Sequence, residues 1–169
     1  WDITNGSAAV VVAVLDTGVL ADHLDLSGPV LPGYDMVSDL ATANDGGGRD
    51  ADASDPGDWI TSAENTARGG DFPNCGVADS SWHGSKIAGL IGAAANNGQG
   101  MTGTAFGVKI LPLRVLGKCG GFDSDIQAGM RWAAGLLVPG LPVNPNPARI
   151  VNLSLGGRGI CSLTNYPAV

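Results

Sequence analysis

One apolar run near the start of the chain constrains the fold more than any other feature. Residues 8–15 form a continuous, Val-rich apolar stretch, and Asp16, Thr17 and Gly18 follow it directly. A run without polar alternation is typical of a central parallel strand that is covered on both faces. In open α/β sheets, chemistry gathers beyond the carboxyl ends of the strands. The sequence therefore predicts an α/β fold with Asp16 at its functional edge.

A second segment places an imidazole at the start of a predicted helix. Residues 83–96 begin with His83 and contain many Gly and Ala residues, which allow close packing in the interior. A carboxylate that accepts one ring N–H of a histidine fixes its tautomer and stabilises the imidazolium formed when the other nitrogen takes a proton. Asp16 and His83 are therefore candidates for the orienting acid and the general base of nucleophilic catalysis.

The remaining pattern predicts one domain over residues 1–169. Residues 110–115 and 148–155 are apolar and predict two further buried strands, and residues 124–137 predict a helix. Residues 35–71 are rich in Asp, Gly and Ser and predict a long loop. No internal repeat or separate linker interrupts this order.

Composition and charge exclude several classes of partner. The net charge is −7 and no basic cluster occurs, so nucleic acid is not an expected ligand. No run of 18 apolar residues is present, so no membrane span is expected. The chain also opens without a basic leader and apolar stretch, and we expect a mature, processed product.

Six segments, taken together and in order, resemble the subtilisin-like serine proteases. The resemblance implies a doubly wound, mainly parallel sheet with helices on both faces, and a secreted endopeptidase that acts on polypeptides. It is closest to the secreted bacterial branch with extra loops and disulfides. It assigns Asp16 as the orienting carboxylate and His83 as the general base and then acid. The matching segments are residues 11–18, 21–26, 83–89, 96–98, 110–116 and 150–157.

Two residues that this family requires are missing from the sequence. The family places its nucleophilic Ser in a Gly-Thr-Ser turn, and its oxyanion-binding Asn, downstream of the strand that ends near residue 157. No such turn occurs here, and Ser154 and Ser162 lie in or just after that strand. We therefore expect residues 1–169 to be the N-terminal part of one catalytic domain, inactive alone and completed by a complementary C-terminal chain that supplies Ser and Asn.

Two other functions remain as alternatives at this stage. The chain could be a non-catalytic binding or inhibitory fragment that retains the protease scaffold. A nucleotide-binding α/β protein is disfavoured, because no Gly-x-Gly-x-x-Gly follows the first strand and no P-loop occurs.

The resemblance also implies which segments line the substrate cleft. Family members use the region after the strand at residues 110–115 to pair with extended substrate, which would place Gly120, Gly121 and Phe122 in the cleft. An ordinary strand-to-helix turn is the alternative there. Ser154, Leu155 and Gly156 match the backbone wall of the specificity pocket, where substrate adds as an extra strand.

Acidic residues are concentrated in the predicted loop. Nine of the 16 acidic residues lie between positions 35 and 71, and those within residues 44–58 are closely spaced without matching numbers of Lys or Arg. Such carboxylates repel each other unless a cation neutralises them, and hard oxygen ligands suit Ca²⁺. A solvated acidic loop is the alternative. The candidate ligands are Asp45, Asp50, Asp52, Asp55 and Asp58.

A second candidate calcium site follows from the resemblance alone. Asp25 matches a calcium ligand of the family. Residues 96–101, with Asn97 among them, match the loop that supplies the other ligands. Calcium is therefore the expected cofactor.

Three cysteines are present, and none has metal-ligand spacing. The resemblance to disulfide-containing members implies that Cys75 pairs with Cys119 and that Cys161 pairs with a cysteine outside the chain. Three reduced thiols are the alternative. His23, the other histidine, is interpreted as structural. Lys86 departs from the family, and the sequence does not decide whether it approaches His83 or extends into solvent.

Overall fold

A four-stranded parallel sheet forms the centre of the computed structural model, which describes residues 1–157. Its strands are β1 (Val11–Asp16), β2 (Tyr34–Asp35), β3 (Lys109–Arg114) and β4 (Ile150–Asn152). They are ordered β2-β3-β1-β4, and each neighbouring pair is parallel. The predicted α/β class is confirmed.

Helices cover both faces of the sheet, as the unbroken apolar run at residues 8–15 predicts. The longer helices are α3 (His83–Gly92) and α4 (Asp123–Ala133), and both pack on β1 and β3. Alternate residues of β1 enter two separate cores: Ala13 and Leu15 share one with Trp132 of α4, and Val12 and Val14 share the other with Ala88 of α3. No helix within residues 1–157 is long and apolar enough to cross a membrane.

Three predicted elements end earlier than the sequence pattern indicates. Helix α3 stops at Gly92, because the N–H of Ala94 donates to the carbonyl of Asp25. Helix α4 stops at Ala133, whose carbonyl accepts from the N–H of Ala148 at 2.8 Å. Strand β4 spans three residues, because it pairs with β1 over that length and carries no second neighbour among the described residues.

The prediction of an irregular loop at residues 35–71 is wrong in part. Two short helices, α1 (Leu40–Ala43) and α2 (Ser62–Thr66), interrupt it. The side chain of Asp39 caps α1, while Thr61 and Glu64 form a reciprocal capping box on α2. Helices this short show no apolar period, but Thr-x-x-Glu is itself a helix-start signal that the sequence offered.

Candidate active site

A carboxylate and an imidazole meet at the carboxyl edge of the sheet. Asp16 ends β1 and is 1% exposed, and His83 is the first residue of α3. His83 Nδ1 lies 2.8 Å from Asp16 Oδ1 and 2.9 Å from Oδ2. The imidazole keeps 40% of its surface exposed. The pair can therefore hold one ring nitrogen on the protein while the other exchanges a proton with a group outside.

The Asp16 side chain is held by its own strand end. Its Oδ1 accepts a hydrogen bond from the N–H of Thr17 at 2.8 Å. The hydroxyl of Thr17 donates to Asp55 Oδ2 at 2.6 Å and accepts from the N–H of Gly84 at 3.0 Å. These bonds tie the end of β1 to the start of α3.

Gly84 allows α3 to approach β1 this closely. A Cβ at Gly84 would overlap the carbonyl oxygen of Gly18 and lie 3.1 Å from the Cβ of Asp16. Any larger residue would displace the helix start from the strand end. A glycine is therefore required after His83, because a side chain there would prevent the short distance between the imidazole and its carboxylate.

The segment expected to pair with substrate folds back on itself. After β3, Gly117 and Gly120 exchange two backbone hydrogen bonds of 2.8 and 3.2 Å, with Cys119 at φ 66° between them. Residues 117–120 therefore form a turn between β3 and α4. Gly121 and Phe122 follow the turn, and Phe122 is 51% exposed directly before α4.

The second predicted cleft segment lies just beyond β4. Ser154 and Gly156 are exposed and Leu155 is half-buried, packing in part against the α4 core. The hydroxyl of Ser154 accepts from Asn152 Nδ2 at 3.0 Å. Since β4 runs parallel to β1, these residues follow the same edge of the sheet as Asp16.

The five loop carboxylates are not gathered into a metal centre. Within residues 1–157, no three His, Cys, Asp or Glu side chains are grouped so that they could hold a metal ion. Each of the five instead accepts hydrogen bonds from the protein, some of them from residues distant in sequence. The acceptor and donor pairs are Asp45 with Gly47 and Arg114, Asp50 with Asp52, Asp52 with Ser54, Asp55 with Thr17 and Gly57, and Asp58 with Ser81.

The interpretation that this acidic stretch lacks matching cations is wrong. Arg114, 1% exposed at the end of β3, reaches Asp35 Oδ2 at 2.5 Å and Asp45 Oδ2 at 2.7 Å. Arg49, within the stretch, pairs with Asp125 of α4 at 2.6 Å. Arg114, from a strand remote in sequence, thus meets one of the five carboxylates that the sequence offered to a metal, Asp45, while Arg49 pairs with a carboxylate outside the stretch.

Burial changes the protonation of two carboxyls near Arg114. Burial raises the pKa of Asp35 to about 7, and the attraction of Arg114 opposes this rise. Burial also raises the pKa of Asp55, and the hydrogen bonds from Thr17 and Gly57 oppose it. Taking a carboxylate out of water disfavours its charged form more than these partners restore it.

Asp25, the second candidate calcium ligand, is enclosed by the loop at residues 96–101. Asp25 Oδ1 accepts from Asn97 Nδ2 at 2.8 Å, and Oδ2 accepts from the N–H of Met101 at 2.9 Å. The first of these bonds, and then the second, lower the pKa of Asp25, so its carboxyl is ionised. A Cβ at Gly100 would overlap Asp25 Oδ2, so the loop wraps closely around the carboxylate.

The segment between α2 and α3 is attached to the turn after β3. Cys75 and Cys119 form the expected disulfide, with Cα atoms 5.5 Å apart, while Cys161 lies outside the described residues, as does Ser162. Beside it, the ammonium of Lys118 pairs with Glu64 and lies 4.8 Å from the ring centre of Trp59.

His23, interpreted from the sequence as structural, and Lys86, whose role the sequence left open, line the same cavity beside α3. His23 Nδ1 accepts from the N–H of Asp25 at 3.2 Å, a local bond of the kind a structural role requires. Lys86 is exposed and lines a cavity of about 260 Å³ together with Trp82 and Met101.

Several contributors to the site were missed from the sequence. Arg114 carries a signal, because a charged residue within the apolar stretch at residues 110–115 requires a buried partner. Thr17 also carries a sequence signal, since a hydroxyl residue lies directly between the end of the strand at Asp16 and the turn at Gly18. Ser81 carries none that separates it from its neighbour Ser80.

Comparison with known proteins gives one consistent family. The sequence model described as the subtilase family matches residues 7–166. The chain is 50% identical over 169 residues to an extracellular protease of Xanthomonas campestris pv. campestris and 52% identical over 163 residues to an extracellular basic protease of Dichelobacter nodosus. It covers 100% and 96% of its own length in these matches but 28% and 26% of the relatives' lengths.

A solved structure shares the fold as well as the sequence. The chain superposes on a protease from Pseudoalteromonas arctica with a TM-score of 0.86 at 52% identity. The match covers 99% of this chain and 47% of the other. The chain therefore corresponds to about half of that solved structure, and to about a quarter of the length of the two curated relatives.

Proposed function

This chain belongs to the subtilase family, and we propose from that premise that it supplies the general base and its orienting carboxylate to a secreted serine endopeptidase. The observation that carries the proposal is the contact between His83 Nδ1 and both oxygens of Asp16, at 2.8 and 2.9 Å. The names of the two extracellular relatives support secretion and a polypeptide substrate.

The geometry of the pair supports a specific role in the reaction. Because Nδ1 faces the carboxylate, Nδ1 carries the proton and Nε2 presents a lone pair. Nε2 takes the hydroxyl proton of a Ser nucleophile as that Ser attacks the peptide carbonyl, and later gives the proton to the leaving amine. Asp16 stabilises the imidazolium between these steps and keeps the ring in one orientation.

The nucleophile and the oxyanion donor come from a further segment of polypeptide in this proposal. The sequence contains no Gly-Thr-Ser turn. In support, β4 lies at the sheet edge with Ile150 51% and Val151 38% exposed, and Leu153 after it is 37% exposed. Parallel strands of α/β folds are usually covered on both faces. We infer that the completing segment pairs with β4 and buries these side chains.

Substrate binding is assigned to the same edge of the sheet. One candidate wall follows β4 and consists of Ser154, Leu155 and Gly156. It lies at the same edge of the sheet as His83, and an extended peptide would add to its backbone as a strand. Gly120, Gly121 and Phe122, which are exposed after β3, form the opposite candidate wall.

Calcium is proposed as a structural ion at Asp25 and Asn97. Subtilases commonly bind calcium, and a carboxylate and a side-chain amide oxygen are ligands of the kind that Ca²⁺ prefers. When bound, the ion would fix the loop at residues 96–102 against the segment that follows β1. The proteolytic steps above involve no metal.

Substitution of His83 and Asp16, with His23 as the control, tests the proposal. In the full-length protein, His83→Ala and Asp16→Asn should each lower kcat on a peptide substrate by about 10⁴-fold or more, whereas His23→Ala should leave it within about threefold. A phosphonate that reacts with serine hydrolases should label a Ser outside residues 1–169, and this segment prepared alone should not react. Full activity of His83→Ala would remove the proposal.

A further inference from the structure

We propose that Asp58 and Ser81 are positioning residues for His83, acting through the backbone at the start of α3. This inference rests on the proposed function of His83. The sequence assigned Asp58 to a metal, and the contacts around it support a different use.

Asp58 holds Ser81 with both of its carboxylate oxygens. Oδ1 accepts from the N–H of Ser81 at 2.6 Å, and Oδ2 accepts from its hydroxyl at 2.7 Å. The hydroxyl oxygen of Ser81 in turn accepts from the N–H of His83 at 3.2 Å. A continuous path of hydrogen bonds therefore leads from the carboxylate to the backbone of the proposed general base.

The start of α3 requires this support. The first N–H groups of a helix have no partner within the helix. Trp82 occupies the cap position with φ 51° and ψ 32°, and its side chain makes no capping hydrogen bond. A bulky residue in the left-handed region is strained and persists where its neighbours fix it. The hydroxyl of Ser81, the residue before Trp82, supplies the acceptor that the Trp82 side chain does not.

A second path of the same kind reaches the next N–H of the helix. Gly84 N–H donates to the hydroxyl of Thr17, which donates to Asp55. The two carboxylates stand three residues apart, and each acts through a hydroxyl on one of two consecutive helix N–H groups. Negative charge near a helix N-terminus is also favourable. The segment from Asp55 to Asp58 therefore clamps the helix start that carries His83.

The clamp spans both partners of the candidate pair. Thr17 follows Asp16 directly, and Ser81 lies two residues before His83. Loss of either path would let the imidazole move relative to its carboxylate, where the present contacts are 2.8 and 2.9 Å. Misplacement of a catalytic group by about 1 Å costs up to about 10²-fold in rate. The expected effect is on kcat, since neither Asp58 nor Ser81 is proposed to contact substrate.

Steady-state kinetics of the full-length protein tests the inference. Asp58→Asn replaces an acceptor oxygen with an amide donor, and Ser81→Ala removes the hydroxyl. Each should lower kcat by about tenfold with KM unchanged within about twofold. Ser81→Thr keeps a hydroxyl and should recover most of the loss. Asp79→Asn removes an exposed charge from the same segment and should behave as wild type.

The competing assignments give different results. If Asp58 is a calcium ligand, excess Ca²⁺ should restore kcat of Asp58→Asn, and that outcome would overturn the inference. The inference would also be overturned if Asp58→Asn and Ser81→Ala had the same kcat as Asp79→Asn. Equal losses of kcat in Ser81→Ala and Ser81→Thr would overturn it too. The phosphonate is used to count active sites, so that unfolded protein does not lower the measured kcat. If Asp58→Asn does not fold, the comparison of the two Ser81 variants tests the inference. Full activity of His83→Ala would instead remove the proposed function.

Discussion

Arg114 stands beside Asp16 in the β1–β3 ladder, the two being register partners at the carboxyl ends of neighbouring strands. The guanidinium binds Asp35 of β2 and Asp45 of the following loop, and it also donates to the carbonyl of Ala43. One buried cation therefore ties the acidic segment to the strand next to the proposed catalytic carboxylate.

Replacement of Arg114 should destabilise the fold strongly. Arg114→Met would leave two carboxylates without their cation, and removing one partner of a buried pair costs about 3–5 kcal/mol. The measurement is urea unfolding of the phosphonate-inhibited, full-length protein at pH 8. Arg68→Met, at an exposed position, should change the unfolding free energy by less than about 0.5 kcal/mol. Equal effects of the two variants would contradict the assigned role of Arg114.

Stability should depend on pH through Asp35. Its pKa is about 7 in the folded protein and 3.8 as a free side chain, because burial disfavours the carboxylate. Between about pH 4 and 7 the folded state therefore holds a proton that the unfolded state has released, and the unfolding free energy decreases as pH rises through this window. Asp35→Asn should remove this contribution to the slope. Parallel stability profiles of wild type and variant from pH 4 to 8 would show that Asp35 titrates normally.

Both residues of the candidate pair lie at element boundaries that the sequence indicates. Asp16 ends a strand that apolar continuity identifies and His83 starts a helix rich in small residues, whereas the pairing of the two came from the family resemblance. The conformation of the candidate cleft segment was harder to predict from the sequence. The turn at Gly117 and Gly120 depends on the positive φ of Cys119, which composition does not indicate.

Charge partners could not be predicted in the same way. Arg114 and Asp35 are 79 residues apart in sequence, and hydropathy indicates whether a residue is buried but not which residue it meets. Asp55 and Asp58 show the same limit, because carboxylate oxygens serve a metal or a hydroxyl equally well. Their partners, Thr17 and Ser81, lie outside the acidic stretch.

Calcium should stabilise the protein through Asp25 and not through the acidic loop. In the inhibited, full-length protein, Asp25→Asn should reduce the increase in Tm that Ca²⁺ produces, because it removes the ionised ligand. Asp50→Asn, at an exposed position of the acidic loop, should leave that increase unchanged. Thermal scans with Ca²⁺ and with a chelator measure the difference. A reduced increase in Asp50→Asn alone would place the ion in the acidic loop instead.

The disulfide between Cys75 and Cys119 should contribute substantially to stability. It closes a loop with a sequence separation of 44, and the chain-entropy relation then gives about 4 kcal/mol. Cys75→Ser with Cys119→Ser should lower the unfolding free energy by about this amount in urea. The ion pair of Lys118 with Glu64 remains in that variant and should keep the segment docked, so active-site counts should stay near those of wild type. A loss below about 1 kcal/mol would indicate that these contacts alone hold the segment.

Two glycines of the same helix should respond in opposite ways to alanine. At Gly84 a Cβ would overlap the carbonyl of Gly18, so Gly84→Ala must push α3 away from β1. Overpacking of this kind costs about 1–3 kcal/mol, and kcat should fall because His83 moves with the helix start. At Gly89 a Cβ would meet Met101 Sδ at 3.7 Å, an ordinary contact, so Gly89→Ala should stabilise the helix by up to about 1 kcal/mol and leave kcat unchanged. Urea unfolding and kcat of the two variants in the full-length protein measure the contrast, and a Gly84→Ala enzyme with wild-type kcat would show that the imidazole does not depend on this close approach.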